Sequence, residues 1–227
     1  MRRGTGESAM HVEPLRPEEL ENLPVFPLPR VVFFPGSVLP LHLFEPRYRA
    51  MIEHCMTKGP RAFAVTLLQP GFEAAYEGRP AIRTIAGVGR IVAHEAQRDG
   101  THDVLLQGLH RVSLDEIHDE SLPFRTAKAK VLEPTNVDVP MGELQALMAC
   151  ATQVAQVVRQ QHPEFQLGTS LAEGASKVAD TIADRFVAVP ETRQAILEAL
   201  DLRARVGLVT DAVGGLLAML ASRDAPS

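Results

Sequence analysis

Four histidines, His94, His102, His110 and His118, recur at intervals of eight residues and are the first candidates for chemistry in this chain. On antiparallel strands such a period can bring imidazoles together into a metal site. The turns between them break any simple same-face argument, and none sits in a compact His/Glu or His/Asp ligand motif. The expected metal content, and the expected cofactor, is therefore none. Glu116 and Asp119 lie near His118 and resemble an acid/base cluster, but charges at the exit of a strand are ordinarily solvated. The nearest approach to a phosphate-binding loop is GTSLAEGASK, Gly168–Lys177, which departs from G-x-x-x-x-G-K-[ST] in spacing and lacks the Lys-Ser/Thr pair. Ser176 and Lys177 are chain neighbours on a helix, so their side chains diverge and cannot form a base-activated nucleophile. Cys55 and Cys150 match neither a disulfide framework nor a zinc spacing, and a reducing cytoplasm is the expected location.

The elements that must position these residues fall into two kinds. Up to about Glu133, short β-branched and aromatic runs alternate with Pro and Gly. Strands are expected at Leu23–Leu28, Val38–Phe44, Ala62–Gln69, Ile82–Ala96, Asp103–Gln107, Arg111–Ile117 and Thr126–Leu132, with a hairpin turn at Arg98-Asp99-Gly100-Thr101. One helix interrupts them, opened by Pro46, ended near Gly59, and carrying Tyr48, Met51, Ile52 and Cys55 on one face. From 134 onward the period is helical. Leu144, Leu147, Met148, Ala151, Val154 and Val158 form one stripe, and Val178, Ile182, Phe186 and Val189 a second. A short helix from Pro190 carries Ile196, Leu197 and Leu200. A long last helix carries Leu202, Val206, Val209, Val213, Leu217 and Leu220. The expected fold is α+β: a partly closed β-barrel or folded sheet over 22–133, then a small helical bundle over 134–227, behind a mobile tail at 1–21.

Charge narrows the partners. Of the formal −5, residues 1–133 carry 16 Lys+Arg against 17 Asp+Glu and residues 134–227 carry 7 against 11, so neither part is basic enough to make nucleic acid an expected partner. The opening residues hold no signal-peptide core, and the apolar run Ala212–Ala221 falls short of the ~20 residues that span a bilayer, so no membrane association is expected.

The run LPVFPLPRVVFFPGSVLPLHLFEPRYRAMIEHC, Leu23–Cys55, resembles the opening of the Lon protease amino-terminal domain, where a Pro-punctuated strand, an aromatic-Pro-Gly turn and a Phe-Glu-Pro-Arg-Tyr helix start follow in that order. The similarity continues through Gly87-Val88-Gly89-Arg90-Ile91 and Val104–Val112. It returns in SKVADTIADRF and QAILEALDLRARVGLV, so that it covers roughly 22–221. It implies a PUA-like β part and a substrate-recognition module standing without the family's AAA+ ATPase and Ser-Lys peptidase. The implied activity is non-catalytic binding of unfolded or partner polypeptides, as an adaptor, a chaperone-like factor or an associate of a separate protease. An RNA-binding PUA-like protein and a small metal-dependent hydrolase built on the histidines are the alternatives, and dimerisation through the last helix is left open.

Within the motif, Pro35, Gly36, Phe44, Glu45, Pro46, Arg47, Tyr48, Gly87, Gly89, Gly108 and Arg111 read as structural pins. Phe33 and Phe34 are adjacent and so face opposite ways in extended chain, one toward the core and the other free to cover a neighbour or ligand. With Phe72 and Tyr76, stranded in the loop PGFEAAYEGRP, they are the expected polypeptide-binding residues.

Overall fold

A computed structural model describes residues 12–75 and 78–223. Six strands form one sheet in the order β2-β5-β4-β3-β1-β6, with a further β5–β6 pairing that closes five of them into a barrel. They are β1 (Leu23–Leu28), β2 (Val38–Leu43), β3 (Ala62–Leu67), β4 (Ile85–Ala96), β5 (His102–Ile117) and β6 (Arg125–Leu132). Only β1 and β3 are parallel. The helix α1 (Pro46–Thr57) follows β2, and α2 (Met141–Gln161), α3 (Ala175–Phe186), α4 (Pro190–Glu198) and α5 (Leu202–Arg223) follow the last strand.

The 16-residue β5 does two jobs along one edge. Its first part, 102–107, pairs with β2, and its second, 111–117, pairs with β6. Gly108, which in sequence looks like a break between two strands, lies inside this one strand, where Gly89 pairs with it in β4. The glycine is required by a neighbour rather than by a turn: a Cβ on Gly108 would stand 2.2 Å from the Phe34 carbonyl oxygen. Gly87 and Gly89 have the same explanation, since Cβ atoms there would lie 1.9 Å from the Phe33 carbonyl oxygen and 2.7 Å from the Phe33 ring. Three glycines thus make a bare strip on which the backbone of the β1–β2 connection lies.

That connection is why both adjacent phenylalanines are buried, contrary to the expectation that one stays free. Phe33 (2% exposed) enters the core between α1 and the sheet with Phe26, Tyr48, Met51 and Leu106, whereas Phe34 (0%) enters the helical core with Leu147, Ile182, Ile196 and Val209. The second side is covered because Arg193 donates to the Val32 carbonyl at 2.9 Å and lies over the Phe34 ring.

Beyond this segment, a buried ionic cluster joins strands to helices. Arg111 on β5 forms a fork with Asp180 on α3 at 2.5 and 2.8 Å and donates to the Leu197 carbonyl. Arg205 on α5, 0% exposed, stands 3.5 Å from the same carboxylate and donates to Ser176 Oγ and the Ala199 carbonyl. Burial, and then the charge on Arg111, lower its pKa to about 10.

Other departures from sequence expectation have local causes. The expected tail at 1–21 is docked over its last part: Pro17–Leu20 is a 3-10 turn, and Glu19 pairs with Arg90 at 2.9 Å. The Arg90 hydrogen bond holds the Glu19 carboxyl at about 2, against the opposing effect of burial. Residues 1–11 lie outside the described residues. Val189 leaves its stripe and is 54% exposed, because Pro190 starts a new helix and Val189 is its extended N-cap. Leu202–Ser222 is long and apolar enough to cross a membrane by length and composition alone, unlike the shorter run picked out in sequence. Its Val206, Val209 and Val213 nevertheless pack inside the bundle.

Two substitutions test these contacts. Gly87→Ala forces the Phe33 backbone off the strip and is expected to destabilise by about 1–3 kcal/mol or more, read as a lower denaturation midpoint. Asp180→Ala leaves two buried guanidinium groups facing one another and should cost about 3–5 kcal/mol by urea unfolding. An unchanged midpoint would show that water reaches the cluster.

Candidate polypeptide-binding surface

Outside the closed barrel, β2, the first part of β5 and the end of β4 form a flap whose two faces differ. Alternation along β2 sends Leu39, Leu41 and Leu43 toward the core beneath α1 and leaves Val38, Pro40 and His42 outward. Register places Gln107, Leu105 and Asp103 of β5 opposite these three, and Ala93 and Glu95 of β4 opposite Leu105 and Asp103. The outward face is therefore Val38, Pro40, Leu105 and Ala93, ringed by polar side chains. A groove of about 590 Å³ lies along it, lined by Pro40, Leu41, His42, Ala93, His94, Glu95, Asp103, Val104 and Leu105. Val38 (51% exposed) opens β2, and Phe44 (63%), expected as a structural pin, instead follows the strand's last residue with its ring exposed beside His42. Among the described residues β2 pairs with β5 alone, and Pro40 suits such an edge because it has no N–H to contribute to a second ladder.

Polar groups stiffen one end. His42 Nδ1 lies 2.7 Å from Asp103 Oδ1, and Gln97 Nε2 donates to the other oxygen at 2.7 Å. These bonds, the His42 contact first, lower the Asp103 pKa. Beside them His94 Nε2 meets His102 Nδ1 at 2.9 Å with the rings stacked. The eight-residue period thus joins this first pair across the β4–β5 hairpin. His110 instead lies opposite Val88, and His118 contacts Arg79. Among the described residues, no three His, Cys, Asp or Glu side chains gather as a metal would require. Burial first, then the His102 and Arg61 charges, lower the His94 pKa.

The residues singled out in sequence are placed as follows. Pro35-Gly36 makes the turn into β2, with Gly36 at φ 82° and its N–H donating to the Gly108 carbonyl. Glu45 and Arg47 bind each other at the start of α1, and Tyr48 is buried edge-on against Phe26. Arg111 belongs to the buried cluster. Phe72 is partly buried against the core formed by Leu23, Val25 and Leu114. Tyr76 lies outside the described residues. Glu116 pairs with Arg79 and Arg125, Asp119 accepts bonds from Ser121, and Lys177 pairs with Glu173, so these groups are engaged structurally. Cys55 and Cys150 are free thiols, and burial pushes Cys55 up to about 12, far from a reactive thiolate. The flap face itself was not visible in sequence: Val-Leu-Pro-Leu-His-Leu is apolar on both sides of the strand, so alternation cannot show which side is uncovered.

A closed barrel with an apolar flap beside a helical bundle is an architecture that comparison with known proteins places. The profile of the ATP-dependent protease La (LON) substrate-binding domain matches residues 22–213, and the chain belongs to that family. It is 29% identical over 221 residues to the Lon protease of Anaeromyxobacter dehalogenans, covering 92% of this chain and 26% of that protein. It is 31% identical over 193 residues to Lon protease 2 of Myxococcus xanthus, covering 83% and 23%. The chain thus spans about a quarter of the length of these curated relatives. Its fold is shared with the Lon N-terminal domain protein of Xanthomonas campestris (TM-score 0.59, 21% identity, 87% of this chain and 97% of that one). It is shared too with the N-terminal domain of the Mycobacterium avium complex Lon protease (TM-score 0.63, 12% identity, 85% and 98%).

The histidine pair gives a direct test of the groove's polar end. By NMR, His94 should titrate below the ordinary histidine value of 6.5 and move partway back when His102 is replaced by Gln, burial and Arg61 keeping the remainder. An unmoved His94 titration would show that the two rings do not interact.

Proposed function

We propose that this protein is a non-catalytic polypeptide-binding module and that its outward flap face, Val38, Pro40, Ala93 and Leu105 with Phe44 at the end, holds extended segments of non-native chains. The observation that carries the reading is an exposed apolar strip on a regular sheet, bounded by His42, Asp103 and Glu95. Burying such a strip under a partner's apolar residues is favourable at roughly 25 cal/mol per Å². The polar rim limits non-specific sticking. Membership of the substrate-binding family supports polypeptide recognition, and the proposed role is that of an adaptor or chaperone-like factor acting beside a separate protease. The free thiols suit a reducing cytoplasm. Phe33 and Phe34 take no part, being core residues. Phe72 and Tyr76 are proposed as a subsidiary contact.

The test is fluorescence anisotropy of a labelled, permanently unfolded polypeptide titrated with the protein. Val38→Asp/Leu105→Asp should weaken binding by about tenfold or more at an unchanged melting temperature, in keeping with loss of central contacts worth ~1–2 kcal/mol. Phe72→Ala/Tyr76→Ala should weaken it less. Wild-type affinity in the flap variant would remove this face from consideration.

A further inference from the structure

The outward apolar face of the flap ends at Val38. Ser37 and Val38 also line a cavity of about 560 Å³ whose other walls are Gly36, Phe165, Gly168, Lys177, Thr181, Asp184 and Arg185. Asp184 and Arg185 are shared in turn with a further cavity of about 340 Å³, which Arg30, Val31 and Arg193 help to enclose. Val38, the end residue of the apolar strip, thus borders a cavity holding Lys177 and Arg185, and Arg185 also lines the neighbouring one that holds Arg30 and Arg193. The acids beside these cations are already engaged: Asp184, which lines both cavities, pairs with Arg193 at 2.6 Å, and Glu173 pairs with Lys177. Arg30 and Arg185 are exposed, and among the described residues neither has an acidic partner. In a chain of net charge −5, this is a locally basic cleft at one end of an apolar strip whose other end carries Glu95 and Asp103. Arg185 is held in place, its guanidinium over the Phe165 ring at 5.7 Å and against Gly168, where a Cβ would come within 2.7 Å of Nη2.

Resting on the proposed function, we infer that the segments bound here are bipartite: an extended apolar block on the flap, continued by acidic side chains that enter the cleft and pair with Arg30 and Arg185. The apolar block is about six residues, because an extended peptide advances at the same rise per residue as the strand it covers. The acidic part follows on the Val38 side, where the unmatched cations are, and is disfavoured at the Glu95–Asp103 side. Such charge matching at the rim of an apolar contact selects among partners and sets orientation.

The experiment uses labelled peptides with one apolar block followed by a short acidic, seryl or lysyl run, all amidated to remove the chain-end carboxylate, and a single-stranded RNA oligomer. Affinity is read by anisotropy at low and high salt. The expected order is acidic, then seryl, then lysyl, with the differences shrinking as salt rises. Arg30→Glu/Arg185→Glu should weaken the acidic peptide about tenfold, leave the seryl peptide unchanged and favour the lysyl one. Both side chains are exposed, so the melting temperature should hold; Arg30→Ala/Arg185→Ala should give a smaller loss in the same order. Equal affinity for all three flanks, or no response to the arginine changes, overturns the inference while leaving flap binding intact. RNA binding that is lost in the double variant, without any acidic-peptide preference, assigns the cleft to nucleic acid and also overturns it. Failure of even the seryl peptide to bind removes the proposed function and this inference together.

Discussion

The backbone between β1 and β2 lies in van der Waals contact with a sheet that has no side chains beneath it, and most of the architecture follows from that approach. Gly87, Gly89 and Gly108 leave room for the carbonyl groups and ring of Phe33 and Phe34, and any Cβ there would overlap them. Because the segment is pressed flat, its alternating side chains have to go to opposite sides, and each side has its own core. Strand and helix packing are therefore tied to one short stretch of extended chain. The same stretch ends at Gly36, whose turn delivers β2 to the edge of β5 and so sets out the flap.

A second tie acts by charge. Asp180 is shared by Arg111 from a strand and Arg205 from the last helix, all three buried, which leaves a net positive charge in the interior. Desolvating such groups is costly, so the cluster holds only while every element supplying it is in place. It acts as a check on correct docking of α3 and α5 against β5. Arg193 plays a related part from α4, its guanidinium reaching the Val32, Ala183, Asp184 and Val187 carbonyls. Rigid mounting of this kind suits a surface whose proposed work is to hold a flexible partner, since the disorder is then confined to one of the two molecules.

The proposed binding surface and the stability of the fold use different residues. Phe33, Phe34, Tyr48 and the glycines are committed to packing, whereas Val38, Pro40, Ala93 and Phe44 are exposed and Leu105 is half-buried. Changes on the flap face thus leave the core contacts intact, and the bound segment could be altered without rebuilding the barrel.

The α+β layout, the position of β1, the face of α1 and the existence of four later helices could be read from the sequence, because they rest on local periodicity, proline placement and glycine turns that act within a few residues. The family resemblance was carried by the same local motifs. Three matters were decided only by tertiary structure. Gly108 interrupts nothing because its neighbour in space, 74 residues earlier, needs the room. Phe33 and Phe34 are both buried because helices from the far end of the chain cover the second side. The uncovered face of β2 could not be picked out from a strand apolar on both faces, since which face stays open depends on what packs elsewhere. Local sequence sets the conformation of a segment, but burial is a property of the whole molecule, and in this protein the proposed binding surface is defined by burial that never happens.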